Sequence, residues 1–141
     1  MASLSRSLNP LVLLVEDDAG LREAVVKGLT KAGYIVASAG SRREAVRTAQ
    51  ELNPDAVVMD VLLPDGDGPT AAEEIRNQAG LAAVPVLYVT AKAPAAVGDT
   101  LFPAPVLFKP FTYRQLVASV RDLVRPRGPA ATAPVSAAPA R

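Results

Sequence analysis

Short aliphatic runs that each stop at a polar residue restrict the possible folds of this chain more than any other feature. Leu11–Val15 runs into Glu16, Asp17 and Asp18, Ala56–Met59 into Asp60, Val84–Val89 into Thr90, and Val106–Phe108 into Lys109. These four are apolar almost throughout, as strands of a parallel sheet covered on both faces must be. A fifth run, Tyr34–Ser38, is more mixed and reads as an edge strand. Helical patterns lie between the runs. Leu21, Val25 and Leu29 recur at helical spacing, and Gly33 follows as a stop. Ser41 with Glu44 forms a capping-box pattern ahead of Ala45, Ala49 and Leu52. Pro69 suits the first turn of a helix that contains Ile75 and ends at Gly80. Thr112 with Gln115 makes a second capping box, ahead of Leu116, Val120, Leu123 and Val124. Strands alternating with helices predict an α/β fold built on a doubly wound parallel sheet.

One link departs from this regularity. Ala91 to Pro105 contains Pro94, Gly98, Pro103 and Pro105. A proline inside a helix costs ~3 kcal/mol and a glycine ~1 kcal/mol, so at most a short or irregular fourth helix fits between Ala95 and Phe102. The patterned body spans residues 11–124 and suits one domain. Residues 1–10 read as a flexible leader. The Pro/Ala-rich tail, 125–141, has Val135 as its single large apolar residue and is expected to be disordered.

In a parallel sheet the polar stops all fall at the carboxyl ends of strands, along the edge where open α/β sheets bind ligands. Glu16, Asp17, Asp60, Thr90 and Lys109 are thereby predicted to converge. With no histidine and no cysteine in the chain, any metal there must be a hard cation held by oxygen, Mg²⁺ or Mn²⁺. A carboxylate beside such an ion can attack phosphorus, and a hydroxyl and a fixed cation suit the charge that develops on the phosphoryl oxygens. A net charge of +1 gives no electrostatic reason to expect nucleic acid or a membrane as partner. With no signal peptide and no long apolar run, a cytoplasmic location is expected.

The motifs LVLLVEDD (Leu11–Asp18), VVMDVLLPDGDG (Val57–Gly68), VTA (Val89–Ala91) and FKPF (Phe108–Phe111) together resemble the receiver domain of bacterial two-component response regulators. The resemblance implies a (βα)5 flavodoxin-like fold with a five-stranded parallel sheet in the order 2-1-3-4-5. It implies Asp60 as phosphoacceptor and Glu16, Asp17, Asp60 and the Val61 carbonyl as Mg²⁺ ligands. Thr90 and Lys109 would contact phosphoryl oxygens, and the Lys109–Pro110 peptide would be cis. The phosphoryl donor would be a sensor histidine kinase or a histidine phosphotransfer protein. Output would pass to a downstream protein partner or along a phosphorelay, from a stand-alone receiver that is a monomer or weak homodimer. No enzymatic turnover is expected beyond Mg²⁺-assisted autophosphorylation and autodephosphorylation at Asp60.

Two features depart from that family's pattern. The aromatic residue usually found three positions before the lysine is replaced by Val106, and the fourth link is short and proline-rich. They motivate a second reading, a receiver-like binding module that does not switch. A third, a hydrolase with an aspartyl intermediate, lacks its expected second acid because Leu62 stands there. Taken singly, the residues also have plainer readings. Asp17 or Asp18 reads as a helix cap, Thr90 as a structural hydroxyl, and Pro64, Gly66 and Gly68 as loop formers.

Overall fold

The computed structural model describes residues 9–91 and 104–124. The expectations for the leader up to residue 8, for a helix in the fourth link and for the tail fall outside them. The elements are β1 (Leu11–Val15), α1 (Ala19–Lys31), β2 (Ile35–Ala39), α2 (Arg42–Leu52), β3 (Ala56–Asp60), α3 (Gly68–Arg76), β4 (Val86–Thr90), β5 (Val106–Phe108) and α4 (Tyr113–Leu123). A small antiparallel hairpin, Leu62–Leu63 with Gly66–Asp67, lies between β3 and α3.

All five strands pair in parallel in the order β2-β1-β3-β4-β5. The predicted order is therefore present, with the mixed run β2 at one edge. Alternation along the strands sorts the core onto two faces. Leu13, Val15, Val57, Met59, Val86 and Tyr88 pack with Ala45, Ala49, Ala71, Ala72 and Ile75 of α2 and α3. Val12, Leu14, Val58, Leu87 and Val89 pack with Val25, Leu29, Leu116 and Val120 of α1 and α4. Small residues on α2 and α3 let those helices lie close to the sheet.

Helix ends follow local chemistry in most cases. Asp18 caps α1, its carboxylate accepting the Leu21 N–H at 2.9 Å. Thr112 and Gln115 form the reciprocal capping box of α4. The Ser41 box is only half formed. Ser41 accepts the Glu44 N–H, but the Glu44 carboxylate reaches to the Gly40 N–H at 2.8 Å. Helix α3 stops at Arg76, short of Gly80: Asn77 closes the last turn and the Gln78 N–H reaches back only three residues, to the Ile75 carbonyl, while the Arg76 guanidinium bonds the Val84 carbonyl at 2.9–3.0 Å. Strand β4 begins two residues later than its apolar run, since Val84 is held in a turn by Leu81 and Pro85 has no N–H to give.

Candidate functional site

The carboxyl ends of β1, β3, β4 and β5 meet in a cleft of about 470 Å³ lined by Glu16, Asp17, Asp18, Asp60, Leu62, Thr90, Ala91 and Lys109. All five side chains expected to converge are in it. Asp60 and Thr90 are the last residues of β3 and β4, and Glu16 follows β1 directly. Register places them side by side: Asp60 pairs with Val89, and Thr90 with Phe108, the residue before Lys109.

Carboxylate oxygens of Glu16, Asp17 and Asp60 all lie within 4.8 Å of one another. Glu16 and Asp60 are buried, at 3% and 7% exposure, and Thr90 is fully enclosed at 1%. Asp17 is exposed. The Lys109 ammonium donates to Asp60 Oδ2 at 3.0 Å and to Glu16 Oε1 at 3.1 Å, bridging the two buried acids. The Leu62 N–H donates to Asp60 Oδ1 at 3.0 Å, and the Asp18 N–H to Glu16 Oε2 at 3.1 Å. The Lys109 N–H reaches the Thr90 carbonyl at 2.8 Å, and the Lys109–Pro110 peptide is cis.

Burial raises the Glu16 carboxyl above the ordinary range and the nearby Asp60 charge adds to this, while bonds from the Asp18 N–H and Lys109 oppose it. Lys109 is pulled down by burial, but its bonds to Asp60 and Glu16 outweigh that and hold the ammonium above its usual value. The lysine is thus a fixed cation. Among the described residues three carboxyl groups face one ammonium, an excess of acidic groups that suits a divalent ion. Ligand oxygens of one Mg²⁺ stand at most about 4.2 Å apart, so this all-oxygen set closes on such an ion with small side-chain adjustments.

One expected ligand is not brought to the cleft. The Val61 carbonyl accepts the Gly68 N–H at 2.7 Å, and Leu62, not Val61, lines the cavity. The backbone turns after Asp60 to start the hairpin, which points the Val61 oxygen toward α3. Asp18, whose single-residue reading was a cap, does cap α1 while also bordering the cleft. Gly68 is more than a loop former. It is buried, and a Cβ there would stand 2.5 Å from the Asp60 carbonyl oxygen. Sequence reasoning also passed over Arg22, whose guanidinium donates to the Glu16 carbonyl at 2.8 Å. Nothing in its helical position marked it.

Comparison with known proteins gives a consistent result. The family model of the response regulator receiver domain matches residues 12–121. The chain is 35% identical over 127 residues to the transcriptional regulatory protein PrrA of Mycobacterium tuberculosis, covering 88% of this chain and 54% of that protein. It is 33% identical to the transcriptional regulatory protein GltR of Pseudomonas aeruginosa, covering 81% of this chain and 48% of GltR. The chain thus spans about half the length of these curated relatives. Among solved structures, a putative response regulator from Chloroflexus aurantiacus superposes with a TM-score of 0.77 at 32% identity, covering 84% of this chain and 99% of that one. The receiver domain of the sensor histidine kinase PA1611 of Pseudomonas aeruginosa, solved with a magnesium ion coordinated in its active site cleft, superposes with a TM-score of 0.73 at 32% identity, covering 82% and 98%.

Proposed function

Because this chain belongs to the response-regulator receiver domains of two-component systems, we propose that its cleft accepts a phosphoryl group on Asp60 from a phosphohistidine of a partner protein. The observation that carries this reading is the convergence of Glu16, Asp17 and Asp60 with Lys109 bonded to two of them. A carboxylate oxygen of Asp60 attacks phosphorus, the P–N bond to the donor imidazole breaks, and the imidazole leaves and takes up a proton. The Leu62 N–H and the Lys109 ammonium hold the Asp60 carboxylate in one orientation for that attack. Lys109 then follows the charge onto a phosphoryl oxygen, and Thr90, at the end of the neighbouring strand, offers its hydroxyl to another. Glu16, Asp17 and Asp60 would hold Mg²⁺ or Mn²⁺. When bound, the ion neutralises charge on the acids and on the phosphoryl oxygens.

Incubation with acetyl phosphate and Mg²⁺ tests this. The expected result is a base-labile, hydroxylamine-sensitive adduct of one phosphoryl group on the intact chain, absent in Asp60→Ala. No adduct on the wild type, or one that survives the substitution, overturns the proposal. In cells the donor would be a sensor histidine kinase or a phosphotransfer protein, in the cytoplasm. Among the described residues no helix is long and apolar enough to cross a membrane. Output would pass to a protein partner. The matched relatives are transcriptional regulators of which this chain covers about half, and a nucleic-acid role for this chain has no charge argument behind it.

Val106 favours a second reading. It is half-buried in β5, in register with Tyr88 of β4, and packs against the same core. A branched side chain there lacks the ring whose rotation could report events at Asp60. On this reading phosphorylation occurs but leaves the β5 and α4 face unchanged.

A further inference from the structure

Arg22 lies in α1, which follows the acidic loop, and turns back over that loop. Its Nη1 donates to the Glu16 carbonyl at 2.8 Å and to the Asp17 carbonyl at 3.4 Å, so one nitrogen bridges the backbone of both members of the acidic pair. The rest of the loop is tied as well. The Glu16 N–H bonds the Ala39 carbonyl at 3.0 Å, and the Arg22 N–H bonds the Asp18 carbonyl at 2.8 Å. The guanidinium reaches its place past Gly40, where an added Cβ would stand 3.2 Å from Nη1 and 3.7 Å from the Glu44 carboxylate. Asp17 is the exposed member of the acid set, so packing holds its side chain little and the placement of its backbone decides which rotamers reach Asp60.

We infer that Arg22 is a positioning residue for the divalent-cation site: by clamping the carbonyls of Glu16 and Asp17 it aims their carboxylates at Asp60. The inference rests on the metal-binding part of the function proposed above. Two physical effects of Arg22 on a bound dication have opposite signs. As a nearby positive charge it repels the ion, and its removal should tighten binding. As a clamp it preorganises the ligands, and its removal should weaken binding, by about ten- to a hundredfold if it behaves as outer-shell partners of metal ligands generally do. The clamp is expected to win, because the charge of a partly exposed side chain is partly screened while a lost backbone anchor frees two ligands together.

Calorimetric titration of the metal-free full chain with MgCl₂ separates the two. Arg22→Ala is expected to weaken Mg²⁺ binding about tenfold or more, with circular dichroism unchanged. Arg22→Lys keeps the charge and reaches one carbonyl, so binding should fall between wild type and alanine. Gly40→Val keeps the arginine but crowds it out of its place, and should also weaken binding. This variant tests the inference even where Arg22→Ala does not fold. Binding by Arg22→Ala as tight as or tighter than wild type overturns the positioning role while leaving the metal site standing. A wild type that takes up no Mg²⁺ overturns the metal reading and the inference with it.

Discussion

Gly68 stands where the start of α3 comes closest to the end of β3. A Cβ there would meet the Asp60 carbonyl oxygen at 2.5 Å, Met59 Cγ at 3.0 Å and Val61 Cα at 3.1 Å. Two of these atoms are backbone and cannot swing aside. Gly68→Ala is therefore expected to cost about 1–3 kcal/mol in urea unfolding and to displace the segment that carries the phosphoacceptor. A change within about 0.5 kcal/mol, the range of ordinary surface substitutions, would refute the close approach. The chemistry of this site is legible at the residue level because Asp60, Lys109 and the acidic pair are side chains that interrupt apolar runs. The direction of the Val61 carbonyl was not legible, because every residue has the same carbonyl and the turn into the hairpin sets where it points. Arg22 escaped notice for a related reason: its partners are backbone oxygens, which leave no trace in the sequence.

At the scale of elements, the start of α2 is held from a distance. Asp65, in the hairpin after Asp60, accepts the Arg42 N–H at 2.7 Å and the Arg43 N–H at 3.0 Å. Arg42 answers with a bond from Nε to the Asp65 carbonyl and a paired contact from Nη1 to the Glu74 carboxylate of α3. The bonds from the Arg43 and Arg42 N–H groups hold the Asp65 carboxyl below its ordinary value. A depressed carboxyl contributes stability that is present above its unfolded pKa and is lost as pH falls through the folded one. Asp65→Asn should therefore be less stable than wild type at neutral pH, and the gap should shrink between roughly pH 5 and about pH 2 in urea unfolding at fixed pH. A gap that stays constant across that window would show that ionisation of Asp65 is irrelevant to α2. Ser41 and Thr112 were legible as caps because their partners lie within one helical turn. Asp65 was not, because a cap supplied from 22 residues away requires the fold to be known. The Gly80 stop failed as well, since the backbone leaves the helix after Arg76, where the Gln78 N–H bonds back only to Ile75.

For the whole molecule, a parallel sheet covered on both faces was readable from run lengths and alternation, while the sheet order was legible only through the resemblance to receiver domains. How an event at Asp60 spreads was not, because it depends on how Val106 and Tyr88 pack across β4 and β5. If the non-switching reading holds, beryllofluoride with Mg²⁺ should shift amide resonances near Asp60, Thr90 and Lys109 while leaving those of Val117 and Val120 on α4 in place. Shifts that spread along α4 would overturn it. The bonds of Lys109 have a temporal consequence as well. The lysine is separated by 49 positions from Asp60 and by 93 from Glu16. A polypeptide leaves the ribosome from its N-terminus, so the paired acids emerge long before the ammonium that bridges them. Until β5 docks, Glu16 and Asp60 lack that bridging cation. Chemical competence and completion of the sheet thus arrive together, and a chain interrupted before its last strand has no finished site to be phosphorylated.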